Sequence, residues 1–203
     1  MRQRNLVVVS AGLSEPSSTR LLADRLSAAA VGAAEGLGVR LSVRVIELRD
    51  LAHDLMNHML TGFPPAALKD AIDAVEAADA LIAVTPVFNA SYSGLFKSFF
   101  DVLGKDVLAD KPVLIAATGG TTRHSLALEH AIRPMFAYLR AVTVPTSVFA
   151  ATQDWGGDES EGQLRGRIRR AAGELAREVD RREPATVADP FVLTTSFEDL
   201  LAG

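Results

Sequence analysis

The sequence predicts an α/β fold, with a parallel sheet enclosed by helices on both faces. Short apolar runs of the strand type alternate with longer segments in which apolar residues recur at helical spacing. Each such helix carries the chain back to the edge of the sheet where the previous strand began, so the strands run parallel. Loops rich in Gly, Ser and Thr follow several of the strands. At 203 residues the chain has the length of one such domain.

Five segments have the pattern of strands. Residues 6–9 form a continuous β-branched run, and residues 80–84 and 113–117 are fully apolar, as in strands buried on both faces. Residues 39–45 alternate apolar with polar, which indicates an edge strand with one wet face. Residues 143–150 contain Pro145, which favours the other edge.

Helical spacing predicts helices over residues 21–37, 66–77, 94–108, 125–140 and 162–182, with Pro134 bending the fourth. Edge-like second and fifth strands around a buried first strand favour a flavodoxin-like three-layer α/β/α sandwich. Its five-stranded parallel sheet has the order 2-1-3-4-5, unlike the longer six-stranded dinucleotide fold.

Two segments find no place in this plan. Residues 49–65 form an insert with His53, Asp54 and His58, and residues 184–203 form an apolar tail after the domain at 1–183. We expect the tail to cover a subunit interface rather than wrap its own subunit. The two histidines of the insert are five residues apart, which places them off one helical face and disfavours a metal site.

Composition excludes several classes of function. A net charge of −4 argues against a nucleic-acid surface. The absence of cysteine excludes disulfides, thiolate catalysis and iron–sulfur clusters. No apolar run approaches the ~18 residues of a membrane span, and we expect a cytoplasmic protein.

The first candidate binding loop, residues 10–19, joins the first strand to the first helix. Ser17, Ser18 and Thr19 place hydroxyl groups beside the unpaired N–H groups of a helix start, which together can hold an anion. The same residues also suit a plain N-cap with no ligand. Without the Gly and Lys pattern of a triphosphate loop, the sequence predicts at most a monophosphate.

The second loop, residues 85–94, is the most informative, because small polar and aromatic residues fill it. Asn89, Ser91 and the backbone N–H groups nearby can pair with the carbonyl and N–H edge of a flat heterocycle, and Phe88 or Tyr92 can lie against its ring. Asn89 also suits a simple turn, and Phe88 a core position. A flavin is the ligand that this chemistry favours.

The third loop, residues 117–124, follows the strand at 113–117. Gly119 and Gly120 let the backbone approach a ligand closely. The helix start that follows, with Arg123 or His124 nearby, would favour the negative charge of a reduced flavin. His124 also suits an ordinary helix start.

All three loops leave the carboxyl ends of strands that should be neighbours, so they should converge on one crevice. Rival functions lack their motifs. A hydrolase of the Ser-His-Asp type needs a Gly-x-Ser-x-Gly turn, and a phospho-acceptor receiver needs acidic residues where this chain has Ser10 and Ala11.

At these residues the sequence resembles the NAD(P)H-dependent FMN reductases of the flavodoxin-like superfamily. It is especially similar to the branch paired with luciferase-like or alkanesulfonate monooxygenases. The matching stretches are residues 85–97, residues 117–120 with His124, and residues 129–139 with Arg133-Pro134. The likeness runs from residue 6 to about residue 150.

The resemblance implies an oxidoreductase, a flavoprotein that takes hydride from NADPH or NADH onto FMN and supplies reduced FMN to a partner monooxygenase. It also implies a homodimer or homotetramer. No protein acid or base is required, because hydride passes directly between two rings. The implied FMN-binding residues are Ser10, Gly12, Ser17, Ser18, Thr19, Pro86, Val87, Phe88, Asn89, Ser91, Tyr92, Thr118, Gly119, Gly120 and His124.

Two alternatives stay open at this point. In a quinone or azo-compound reductase, FMN stays bound and an organic acceptor enters the same crevice. A flavodoxin-type electron carrier would have no turnover of its own, although such carriers are more acidic than this chain. One departure from the resembling family is Glu15-Pro16, where many relatives have a basic residue.

Overall fold

The structure, a computed structural model, describes residues 1–156 and 158–185, without the side chains of residues 158 and 159. Within these residues no helix has the length and apolar character that a membrane crossing needs. The strands are β1 Arg2–Ser10, β2 Val39–Glu47, β3 Ala80–Phe88, β4 Ser91–Tyr92, β5 Pro112–Gly119, β6 Val142–Thr143 and β7 Val148–Ala151. The α-helices are α1 Ser18–Glu35, α2 Ala52–Thr61, α3 Ala66–Glu76, α4 Gly94–Asp101, α5 Arg133–Tyr138 and α6 Asp158–Asp180.

The sheet has the order β2-β1-β3-β5, and β6 and β7 both pair with β5 at the far edge. This confirms the flavodoxin-like order 2-1-3-4-5. The described residues nevertheless form seven strands rather than five. One extra strand is β4, which pairs antiparallel with β3, and the other arises because the last strand is split in two.

The split occurs at residues 144–147 and has a clear cause. Pro145 has no N–H to donate to the sheet. Arg133 binds the exposed carbonyls, with Nη1 at 3.0 Å from the Val144 oxygen and Nη2 at 3.1 Å from the Pro145 oxygen. The Glu174 carboxylate accepts the Thr146 N–H at 2.7 Å. Side chains of helices thus replace the missing sheet partners.

Successive residues of the central strands point to opposite faces. Leu6 and Val8 pack on the side covered by α1 and α6, whereas Val7 and Val9 pack on the side covered by α2 to α5. Both clusters are buried, and this confirms the three-layer sandwich. Four aromatic rings in the cluster on the α2 to α5 side contact one another in edge-to-face and tilted arrangements. They belong to Phe96, Phe99, Phe100 and Phe136.

Two helix predictions are wrong in their extent. The segment expected as one helix over 125–140 is a 3₁₀ turn at Thr122–His124, a π-helical stretch at Leu128–Ile132 and α5. Pro134 lies in the first turn of α5, where proline is tolerated, rather than bending a continuous helix. The helix expected over 94–108 ends at Asp101. Leu108 lies in the turns that follow and is nevertheless buried in the core.

The insert, for which the sequence predicted no element, contains two helices. Residues Leu48–Leu51 form a 3₁₀ helix, and α2 follows with Leu55 buried. Its apolar residues recur at helical spacing, at Leu51, Leu55, Met56, Met59 and Leu60, so this helix could have been predicted. The last helix, α6, spans Asp158–Asp180 rather than 162–182.

The interface prediction for the tail falls on residues that are mostly outside the described part. Residues 186–203 lie outside it, and Ala185 donates its N–H to Asp79 Oδ1 at 2.8 Å. The tail therefore begins at the edge of the sheet opposite the candidate binding loops.

Candidate functional site

A crevice of about 410 Å³ opens at the carboxyl edge of the sheet. This volume is in the usual range for small-molecule sites. All three predicted loops contribute to it, so the convergence expected from the sequence is present. Its lining residues are Leu13, Ser14, Ser18, Thr19, Pro86, Val87, Phe88, Thr118, Gly119, Gly120, Thr152 and Trp155.

The first loop ends at the positive end of α1. Ser17 is the N-cap, and its Oγ accepts the N–H of Arg20 at 3.1 Å. Within the described residues, the N–H groups of Ser18 and Thr19 have no protein acceptor, as is usual in the first turn of a helix. The crevice therefore offers donors and a favourable dipole to an anion at this end.

Two buried residues of this loop lie just beneath the crevice. Ser10 is 1% exposed, and no described atom forms a hydrogen bond with its Oγ. An added Cβ at Gly12 would lie 2.1 Å from Ser17 Oγ, so the hydroxyl that caps α1 would have to move. A buried hydroxyl without a partner is unusual in a folded protein, and a ligand bound at the first loop would supply that partner.

Thr19 and Thr118 connect the first loop to the third. Their Oγ1 atoms are 2.8 Å apart, and both residues are buried. The bond ties the first turn of α1 to the end of β5 and so fixes the width of the crevice here.

The second loop is a tight hairpin. Val87 pairs with Tyr92 and Phe88 with Ser91, which leaves Asn89 and Ala90 as a two-residue turn with φ of 48° and 70°. Positive φ at both positions is the pattern of a type I′ turn, and asparagine adopts it readily. Asn89 thus serves the turn, at an exposed tip outside the crevice lining.

Side chains of this loop divide between the crevice and the core. Phe88 is 46% exposed and lines the crevice, so it is not a core residue. Tyr92 packs against the core cluster, with its ring 6.1 Å from that of Phe96. Lys97, which follows this loop in α4, pairs with Asp101 one turn away.

The sequence analysis missed Thr85, which holds the second loop in place. This buried residue donates from Oγ1 to the Pro86 carbonyl at 2.9 Å and accepts the Ser93 N–H at 3.1 Å. Ser93 in turn caps α4 by accepting the Phe96 N–H. The bonds fix where residues 86–88 face the crevice.

The third loop approaches the crevice through backbone. A Cβ at Gly119 would lie 2.9 Å from Phe149 Cζ, whereas no described atom lies within 4 Å of a Cβ at Gly120. Gly119 is therefore required by packing. His124 is half-buried in the turn beyond and does not line the crevice.

Cations near the first loop already have partners. Arg20 pairs with Asp24 at 2.8 Å and with Glu47, and the hydrogen bond to Asp24 is the main cause that raises its pKa. Arg49 pairs with Glu15 and so holds the outer side of the first loop. An anion at α1 would be held by hydroxyls and N–H groups rather than by a free guanidinium.

The sequence analysis also missed a fourth loop. Thr152 and Trp155 follow β7 and line the crevice. The rule that located the other three loops applies to β7 as well, so this loop could have been predicted. None of the twelve lining residues, all within the described part, carries an ionisable side chain. The crevice is thus suited to bind and orient rather than to transfer protons.

Comparisons with known proteins agree with this geometry. The family model described as NADPH-dependent FMN reductase matches residues 4–156. An FMN reductase (NADPH) of Pseudomonas aeruginosa is 40% identical over 172 residues, which cover 84% of this chain and 90% of the relative. The NADH-dependent FMN reductase SfnE of Pseudomonas putida is 40% identical over 169 residues, 83% of this chain and 88% of the relative.

A solved structure is closer in sequence. The crystal structure of an oxidoreductase from Corynebacterium diphtheriae is 50% identical, with a TM-score of 0.87, and the match covers 90% of this chain and all of that one. The family match spans the four loops around the crevice. The chain therefore belongs to the NADPH-dependent FMN reductase family, within the flavodoxin-like fold.

Proposed function

We propose that this FMN reductase binds FMN in the crevice, with the phosphate at the start of α1 and the ring between residues 86–88 and 118–120. The convergence of hydroxyls, helix N–H groups and glycine backbone at one sheet edge carries the proposal. The proposed FMN-binding set remains the one predicted from the sequence, although Asn89 and His124 lie outside the crevice lining.

The residues present fit FMN. The orphaned hydroxyl of Ser10 would gain a partner from a phosphate that reaches into the first loop. A Cβ at Gly12 or Gly119 would collide with Ser17 Oγ or Phe149 Cζ, so both glycines keep the walls of the crevice as they are. Flat backbone at 118–120 and the side chain of Phe88 leave room for a planar ring.

Bound FMN supplies a ring nitrogen, N5, that accepts hydride from the nicotinamide of NADPH or NADH. The residues of the crevice orient the two rings and exclude water between them. Reacting atoms need to be held at ~3–3.5 Å, which depends on rigid walls. The bonds of Thr85 to the second loop and of Thr19 to Thr118 provide that rigidity.

We infer that FMN exchanges during turnover and that a flavin-dependent monooxygenase receives the reduced form. The charge at the phosphate end supports this, since Arg20 and Arg49 are already paired with carboxylates. A site built from neutral donors holds a phosphate dianion less tightly than one with a free arginine. A quinone or azo-compound reductase would instead retain its flavin.

We further propose a homodimer or homotetramer in which the outer face of α2 and the turn after it contact a second copy. Leu60 and Phe63 are 87% and 81% exposed there, beside Met56 and Met59. Clustered exposed apolar side chains of this kind mark protein contacts. A cytoplasmic location would give the enzyme access to reduced nicotinamide coenzymes.

The experiment is to follow absorbance at 340 nm with purified protein, using NADPH or NADH and adding FMN, FAD or no flavin. Oxidation that depends on added FMN, with sequential kinetics, is the expected result. Yellow protein with ping-pong kinetics would instead identify a reductase with permanently bound flavin. No oxidation with either flavin would contradict the enzyme assignment.

A further inference from the structure

Trp155 is the single tryptophan of the chain, and it lines the crevice. It closes the 3₁₀ helix Thr152–Trp155 directly after β7. The side chain is half-buried and packs against the core cluster on the α1 and α6 side of the sheet. One part of the Trp155 side chain therefore lines the crevice, and another part packs against the core.

The position of Trp155 places it at the phosphate end. Thr118 faces the α1 side, because its hydroxyl meets Thr19 of α1. Trp155 belongs to that same side, whereas Val87 packs against the opposite cluster. The indole thus stands beside the start of α1 and away from the second loop.

Arg25 fixes the orientation of the indole. Its guanidinium carbon lies 5.0 Å from the centre of the Trp155 ring, a cation–π distance. Its Nη1 is 3.2 Å from Glu161 Oε1, so α6 holds the guanidinium in turn. One charged side chain therefore links the crevice wall to two helices.

The indole N–H has an unused donor. Across the described residues, the Nε1–H of Trp155 donates to no protein acceptor, and the half-buried side chain leaves this donor available to a ligand in the crevice. The other donors at this end of the crevice are also neutral. A phosphate oxygen held at the start of α1 would be an acceptor of the right chemistry for this donor.

We propose that Trp155 is a binding residue for the flavin phosphate, to which it donates its indole N–H, and that Arg25 is the positioning residue of that indole. This inference rests on the proposed function. It predicts that Trp155 distinguishes FMN from riboflavin, which has the same ring and no phosphate.

The first test needs no substitution. The single indole N–H gives one resonance in a ¹⁵N-labelled sample, and we expect FMN to move it strongly, inorganic phosphate to move it in the same direction, and riboflavin to move it little. Equal movement with FMN and riboflavin, or none with FMN, would overturn the proposal.

The second test compares variants by flavin fluorescence titration. Trp155→Phe keeps an aromatic wall and removes the donor, so FMN affinity should fall about tenfold while riboflavin affinity stays within twofold. Arg25→Ala should weaken FMN about threefold, Arg25→Lys should restore it, and Arg25→Ala should have no further effect beside Trp155→Phe. If Trp155→Phe lowered the affinity for FMN and for riboflavin equally, Trp155 would only line the crevice, and its role as a donor would be overturned.

Failure of the proposed function gives a different result. Wild-type protein that binds neither FMN nor riboflavin would refute the flavin site itself. Wild-type protein that binds FMN and oxidises NAD(P)H, with Trp155→Phe unchanged, would refute only the role of Trp155.

Discussion

The hydroxyls of Thr19 and Thr118 lie 2.8 Å apart, although the two residues are 99 positions apart in the chain. The bond joins the start of a helix to the end of a central strand. It is buried, so each hydroxyl depends on the other for its hydrogen bond.

We predict that Thr19→Val lowers the free energy of unfolding by about 1–3 kcal/mol, because Thr118 is left with an unsatisfied buried hydroxyl. FMN affinity should fall with it. The double variant Thr19→Val/Thr118→Val should be more stable than the single one, since both partners are then apolar. Urea unfolding measures the free energy of each variant. If the losses of the two single variants simply added in the double variant, the pairing of the two hydroxyls would be contradicted.

Gly119 and Gly120 form a matched pair for testing the third loop. Gly119→Ala should destabilise the protein by about 1–3 kcal/mol and weaken FMN binding, because its Cβ would meet the Phe149 ring. Gly120→Ala should not lower stability by a comparable amount, since no described atom is near its Cβ position, and because Gly120 lines the crevice any loss of FMN affinity there would come from contact with the ligand itself. Thermal unfolding of both variants measures the loss of stability, and flavin titration measures the loss of FMN affinity. Equal effects would show that packing against Phe149 is not the reason for glycine.

Lys111 predicts a pH dependence of stability. Burial lowers its pKa from 10.5 to about 8, while Nζ donates to the carbonyls of Val75 and Glu76 at the end of α3. The unfolded chain then holds this proton more tightly than the folded one. Stability should therefore rise as pH increases from about 8 to 10.5 and should not depend on this group below that range.

The check is urea unfolding of wild type and Lys111→Met across pH 7–10.5. The difference in unfolding free energy should increase by about 1–3 kcal/mol in favour of the wild type between pH 8 and 10.5. Other lysines and tyrosines titrate in both proteins and cancel. Parallel curves would show that the pKa of Lys111 is not lowered.

The proposed subunit contact on α2 can be tested by introducing charged residues into it. Leu60→Asp with Phe63→Asp should give a smaller species in light scattering after size exclusion, because two carboxylates would be buried unpaired. Leu37→Asp, at a partly exposed leucine outside this face, is the control. An unchanged mass for the double variant would place the contact elsewhere.

The sequence predicted the sheet order and the crevice because both follow from local patterns and from one rule about strand ends. It could not assign Asn89, since the type I′ turn exists only through the pairing of β3 with β4. Thr85 was likewise hidden, because its partner Ser93 comes near only when the loop closes. Trp155 also follows the end of a strand, β7, so the same rule about strand ends applies to it.

The break in the last strand also affects how the protein behaves among other proteins. An uninterrupted strand on the outside of a sheet is a template on which a foreign strand can add. At the β5 side of the sheet the outer position is taken by β6, two residues long, and β7, four residues long, and Arg133 binds the carbonyls between them. We expect that loss of Arg133 would expose these carbonyls and make this edge of the sheet more prone to pair with a foreign strand.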